Sequence, residues 1–408
     1  MSGSESYQNA AAASDEHKKA MNYHQLGLNY CNQGDYKNAI QYYEQALEIL
    51  QRVLPSNHPD LATLYNSIGS VYNNMGGSSK ALSSHEKALE IKQKTLPSNH
   101  PSLAISHNNI GLVYDKIGEY TTALSHHEKA LEIYQTILPS LASSYSNIGS
   151  VCDKMGEYSK ALSYYQKALG IRKGTLPSDH PHLATSYNNI GGTYRQMGKY
   201  SKALSYCKIA LEMRQKTLPS NHPELAISYN NVGTVYKNME QYSEALLFLE
   251  KAIKIQEKSL PSNHPDLAGS YNNIGDVYDS MGQYSEALSS HEKAVKIRKK
   301  NLPSNYPDLA ISYNNIGTVY DNMGEYSKAL SSHDKALEIR QKTLPSNHPS
   351  LATSYNNIGT VYYNMKDYSK ALSYYERALA IKQRALPSSH PDIKGVKESI
   401  ETVKEEMK

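Results

Sequence analysis

Asn301–Thr343, NLPSNYPDLAISYNNIGTVYDNMGEYSKALSSHDKALEIRQKT, decides how the rest of the chain is read. Something close to it returns from one end of the sequence to the other. The tripeptide Leu-Pro-Ser begins at Leu54, Leu96, Leu138, Leu176, Leu218, Leu260, Leu302, Leu344 and Leu386. Successive starts lie 42 residues apart, except that Leu138 to Leu176 is 38. A fixed period in this range marks a stacked array, whose units cannot bury their apolar faces alone. The 408 residues are therefore expected to form one elongated solenoid rather than two or three globular domains.

Within a unit, let Ala310 be position 1. Tyr313, Ile316, Gly317 and Tyr320 then fall at positions 4, 7, 8 and 11, the stripe of an amphipathic helix. Gly324 suits the left-handed conformation that ends it. A second helix follows, burying Tyr326, Ala329, Leu330, His333, Ala336, Leu337 and Ile339. Gly317, Ala329 and Ala336 are small where two helices must approach closely. Leu344-Pro345-Ser346 stops the second helix, and Pro349 fits the first turn of the next, where a missing N–H costs nothing. Each unit is thus helix A, a tight turn, helix B and a proline-bounded linker.

These residues resemble the tetratricopeptide repeat, whose basic period of 34 residues is here extended by eight. The extended form, with His-Pro-Asp-Leu-Ala before helix A and Tyr-Asn-Asn-Ile-Gly within it, is similar to the repeats of kinesin light chains and nephrocystin-3-like proteins. The resemblance implies an all-α, right-handed superhelical solenoid of about nine helix-turn-helix repeats. They would occupy 20–53, 62–95, 104–137, 142–175, 184–217, 226–259, 268–301, 310–343 and 352–385, after a disordered leader at 1–19 and before a capping helix at 386–408. In the one short interval the residues equivalent to Asn-His-Pro-Asp are absent. The fourth repeat is therefore expected to lose the cap and first turn of its helix A. With Gly170 and Gly174 in its helix B, each costing about 1 kcal/mol relative to Ala, it is expected to be the weak joint.

Composition narrows the function. A net charge of +4 is too small for a nucleic-acid partner. No apolar run approaches the ~18 residues of a membrane span, so no membrane insertion is expected. The cysteines Cys31, Cys152 and Cys207 have no metal or redox spacing, which fits a reduced, cytoplasmic setting. Tyrosine is abundant, 35 against one Phe and no Trp; the rings are expected to pack between helices with hydroxyls at the rim. The 16 histidines divide mainly into those preceding a linker proline (His58, His100, His180, His222, His264, His348, His390) and those at position 24 of helix B (His85, His127, His291, His333). Spread one to a repeat, they suit capping and packing rather than a metal. No phosphate loop, nucleophile elbow or metal set is present, so neither catalysis nor a cofactor is expected.

In the family the helix A row lines the concave groove, with positions 2, 5, 6, 9, 12 and 13 facing it. Position 6 is Asn109, Asn147, Asn189, Asn231, Asn273, Asn315 and Asn357, and position 5 is Asn in most repeats. Asparagine is a poor helix former, yet each amide offers two donors and an acceptor. The resemblance implies that such a row clamps the backbone of an extended peptide. The alternative is that one Asn of each pair serves the stack itself. Arg195 and Lys237 at position 12 make the groove's middle basic, and Asp276, Asp279 and Asp321 make the next stretch acidic. A protein or peptide partner with acidic segments is expected. The other reading is a kinesin light chain-like cargo adaptor, which would bind a kinesin heavy chain and associate with the cytoskeleton.

Overall fold

The computed structural model describes residues 2–134, 138–301 and 307–408. Among them are only helices: α1 Ser2–Asn32, α2 Tyr36–Val53, α3 Pro59–Asn74, α4 Ser78–Thr95, α5 Pro101–Lys116, α6 Tyr120–Ile133, α7 Leu138–Lys154, α8 Tyr158–Thr175, α9 Pro181–Gln196, α10 Tyr200–Thr217, α11 Pro223–Asn238, α12 Tyr242–Ser259, α13 Pro265–Ser280, α14 Tyr284–Asn301, α15 Pro307–Asn322, α16 Tyr326–Thr343, α17 Pro349–Asn364, α18 Tyr368–Ala385 and α19 Pro391–Glu406. Odd-numbered helices up to α17 are helix A of successive repeats, and the even-numbered ones are helix B.

The boundaries follow from local chemistry. Where His-Pro begins a helix, the His Nδ1 accepts the backbone N–H two residues on, as His222 does from Glu224 at 3.2 Å and His348 from Ser350 at 3.0 Å. The proline then occupies the first turn. The turn between A and B uses a positive-φ residue, Gly in seven repeats (Gly324, φ 75°), but Glu240 (φ 60°) and Lys366 (φ 62°) in the sixth and ninth. A side chain in this conformation costs roughly 1–2 kcal/mol.

Small residues set the helix separation. The alanines that open each unit, Ala310 and its equivalents, are no more than 1% exposed, as are Ala329 and Ala336 of helix B. Helix A crosses helix B most closely at the position-8 glycine, over which the position-24 side chain lies. A Cβ on Gly317 would stand 2.7 Å from the His333 ring, and one on Gly359 2.9 Å from Tyr375. The tyrosines of helix A are half-buried, with hydroxyls at the rim: Tyr229 and Tyr355 accept from Gln215 and Gln341.

Packing divides the chain into two units. The first comprises 1–116 and 125–135, with Tyr43, Leu50, Leu61 and Leu64 at its centre. The second comprises 117–124 and 136–408. At its end α19 lays Val396, Ile400 and Val403 against Ala371, Tyr375 and Ala378. Two hydrogen bonds in this unit join residues far apart in sequence, Asn347 Nδ2 to Glu119 at 2.9 Å and His390 Nε2 to the Lys154 carbonyl at 3.3 Å.

Two expectations need correction. The leader expected to be disordered is helical from Ser2; Ala10–Ala13 are strong helix formers and no proline interrupts them. In the fourth repeat helix A is not shortened. α7 has 17 residues because Leu138-Pro139-Ser140 forms its first turn. Leu302–Tyr306, the linker with Tyr in place of His, lies outside the described residues.

Candidate functional site

Within each unit, helix A approaches the helix A of the next repeat more closely than neighbouring B helices approach each other. The A helices therefore form the inner row. All seven position-6 asparagines are half-buried on it, but they divide into two sets. Asn109, Asn147, Asn189 and Asn231 make no side-chain hydrogen bond among the described residues. Asn273 donates to Asn230 at 3.4 Å, Asn315 to Asp276 at 3.0 Å and Asn357 to Asn314 at 3.0 Å.

The position-5 asparagines belong to the stack. Their Oδ1 meets the Nδ1 of the buried histidine on helix B, as in Asn66–His85 (3.1 Å), Asn108–His127 (2.9 Å), Asn272–His291 (3.1 Å) and Asn314–His333 (3.3 Å). Their Nδ2 reaches the buried position-3 serine of the next repeat, Asn230 to Ser270 at 2.7 Å and Asn272 to Ser312 at 3.1 Å. A buried cation late in the preceding helix B donates to that serine, Arg172 to Ser186 at 2.6 Å, Arg214 to Ser228 at 2.8 Å and Arg340 to Ser354 at 2.6 Å. Burial holds each of the four histidines at about 4, well below the ordinary 6.5, so they are neutral near pH 7. Sequence reasoning missed these cations. The available signal was a Lys, Arg or Gln recurring 14 residues before a recurring serine.

At repeats five to seven the seam is interrupted. Position 24 there is Cys207, too short to reach Asn188, whose Oδ1 is buried without a hydrogen-bond partner. Position 9 is Gly192, with nothing within 4 Å of where a Cβ would stand. The two small residues open a cavity of about 240 Å³ lined by Asn188, Gly192, Arg195, Cys207, Asn231, Thr234, Val235 and Asn273. The structure thus brings Arg195, Asn231 and Asn273 together.

Lys237 is not part of that cavity. Its Nζ lies 3.4 Å from Asp276, which also accepts from Asn315. Burial pushes the Asp276 carboxyl up, and the Lys237 charge opposes that shift. The middle of the groove is therefore less basic than Arg195 and Lys237 together suggested. The acidic stretch is engaged as well, since Asn322 donates to Asp279 and Asn364 to Asp321, at 3.0–3.1 Å. Arg195 forms no salt bridge within 4 Å among the described residues; the Asp153 carboxyl feels its charge but is raised by burial. Among the described residues there is no cluster that could hold a metal ion, and no helix long and apolar enough to cross a membrane.

Comparison with known proteins bears on the fold. Of solved structures, a Rap protein complexed with competence and sporulation factor is 16% identical, covering 90% of this chain and 99% of its own with a TM-score of 0.60. The apo form of RapI is 19% identical, covering 69% of this chain and 98% of its own, TM-score 0.52. A Podosopora anserina kinesin light chain candidate with nearly identical TPR-like repeats is 28% identical, covering 50% and 97%, TM-score 0.42. No curated protein matches the chain. The family described as tetratricopeptide repeat matches residues 19–94, 64–136, 140–216, 182–258 and 308–384, and a second model of that description matches 267–308. With helix pairs, turns and glycine seam all following that pattern, the chain belongs to the tetratricopeptide repeat family.

Proposed function

We propose that this chain is a non-catalytic scaffold that binds an extended peptide segment of another protein along its helix A row, with the cavity of repeats five to seven as the selecting pocket. The observation that carries this reading is that cavity, lined by Asn188, Arg195 and Asn231. The Asn188 Oδ1 is buried without a donor, at a cost of about 1–3 kcal/mol, which marks this wall as a place where the stack's own polar network is incomplete. Asn147, Asn189 and Asn231 offer amides not spent on the stack, spaced one repeat apart, which suits backbone recognition whatever the sequence. Arg195 adds preference for an acidic side chain.

Gly192→Thr tests the reading, because threonine occupies the same position as Thr234, Thr318 and Thr360 in other repeats. It should fill the cavity without disturbing the fold. With a labelled peptide carrying an aromatic residue among aspartates and glutamates, Gly192→Thr and Arg195→Glu should each weaken binding at least about tenfold, or about 1.4 kcal/mol, at unchanged helicity and melting temperature. Unchanged affinity in both variants, measured by anisotropy at low salt, would overturn the reading. Affinity capture with mass spectrometry then names the partner, and recovery of a kinesin heavy chain would make the scaffold a motor's cargo adaptor.

A further inference from the structure

The outer face of the array carries a charge pattern that repeats with the packing code and then departs from it. Position 29 of helix B is Glu90, Glu132, Glu212 and Glu338 in the second, third, fifth and eighth repeats. In the second and eighth it pairs with the lysine one turn on, Glu90 with Lys94 at 2.6 Å and Glu338 with Lys342 at 2.5 Å. In the sixth repeat the same position is Lys254, and the lysine one turn on is Lys258. Two like charges now stand where an ion pair stood, and Lys251 precedes them on the same helix. None of the three has an acidic partner within salt-bridge distance among the described residues.

The reversal coincides with a cavity. Lys251, Lys254 and Lys258 line a recess of about 330 Å³ with Tyr229, Ile255 and the linker residue Asn221. It shares no residue with the groove cavity and contains no carboxylate. Glu250 and Glu257 of the same helix are not among its walls, and Glu257 is occupied by the Tyr271 hydroxyl at 2.8 Å. The Tyr229 oxygen accepts from Gln215 at 2.9 Å, so its own proton is left to donate. The seventh repeat also has lysine here, Lys296, but the carboxylate of Glu257 takes the place that neutral Gln215 holds in the sixth.

We propose that this recess on the sixth repeat is a binding site for a phosphomonoester. Three ammonium groups and a phenol hydroxyl present only donors. A phosphomonoester carries close to two negative charges at pH 7 and three strong acceptor oxygens, which matches that set better than a single carboxylate does. Mutual repulsion of the lysines is relieved when the anion enters. The Ile255 side chain and the Tyr229 ring give the carbon body of the ligand an apolar wall. A phosphorylated side chain of a partner protein and a free phosphorylated small molecule share this chemistry.

The test is calorimetric titration of the full chain with phenyl phosphate and with a phosphoserine peptide at low ionic strength. Saturable binding is expected, weakening as salt rises. Lys254→Glu restores the residue that this position carries elsewhere in the array, so its fold is secure. It should lower affinity at least about tenfold, or about 1.4 kcal/mol. Tighter binding of the peptide than of phenyl phosphate would point to a phosphorylated protein, and the reverse order to a small molecule, either one upholding the site. Equal affinity in wild type and Lys254→Glu, or no saturable binding of either probe, would overturn it.

Discussion

The inner row at repeats seven to nine and at repeats five to seven is built from nearly the same residues, yet the two stretches behave differently. In the first, every described asparagine of position 6 is spent: Asn273, Asn315 and Asn357 donate to the preceding repeat, and His291 and His333 sit against Asn272 and Asn314. In the second, Cys207 replaces the histidine and Gly192 the larger position-9 residue, leaving Asn188, Asn231 and Arg195 without such partners. The first stretch spends its position-6 amides on the stack, although Asn356 Oδ1 in the ninth repeat is buried unpaired like that of Asn188; the second leaves the Asn231 amide and Arg195 open as well. On the proposed function, recognition falls where the repeat fails to complete its internal network.

Acid should separate the two stretches most strongly. The position-24 histidines have folded pKa values near 4 against 6.5 when exposed. They therefore stabilise the fold fully above pH 6.5, and that contribution is lost as pH falls toward 4. Each should cost about 2 kcal/mol at pH 5 relative to pH 7.5. Hydrogen exchange at pH 5 should show repeats seven and eight opening before repeats five and six, where Cys207 and Leu249 have no proton to gain; uniform exchange would refute the account. Next in size is a pair of substitutions. Asn272→Ala strips partners from His291 and Ser312 and should cost about 2 kcal/mol in urea denaturation. Asn188→Ala removes an acceptor that has no partner and should be neutral or mildly stabilising. Cys207→His should convert the open stretch into the closed kind. It should raise stability by about 1 kcal/mol and abolish peptide binding, and a stabilised variant that still binds would detach the cavity from recognition.

The period, helix A and B, the glycine turns and the His-Pro caps were legible in the sequence because each depends on a few adjacent residues. The polar seam was not, because its bonds join residues 14, 19 and 40 positions apart. Each partner alone reads as an ordinary surface residue: Arg340 as a solvated cation, Ser312 as a small filler. Position 6 was identified as groove-facing, but only packing shows that Asn315 is committed to Asp276 while Asn231 is not. Lys237 was read as a recognition cation for the same reason, since Asp276 lies 39 positions away. The cavity at Cys207 and Gly192 was not legible because the lack of a histidine or a threonine has meaning only beside the repeats that have one.

The bond between Asn347 and Glu119, which are 228 positions apart, changes the thermodynamics of the array. A stack with only nearest-neighbour couplings behaves as a one-dimensional lattice and can melt from either end, one unit at a time. Glu119 lies in the turn of the third repeat and Asn347 in the linker before the ninth, so the repeats between them are fastened at both ends. His390 makes a second such fastening with one ring, its Nδ1 capping α19 and its Nε2 held by Lys154. The entropy of closing a loop grows only with the logarithm of its length, so the long span adds little cost. The repeats so enclosed have no free end from which to fray, so their opening begins inside the span, at the units with the weakest seams.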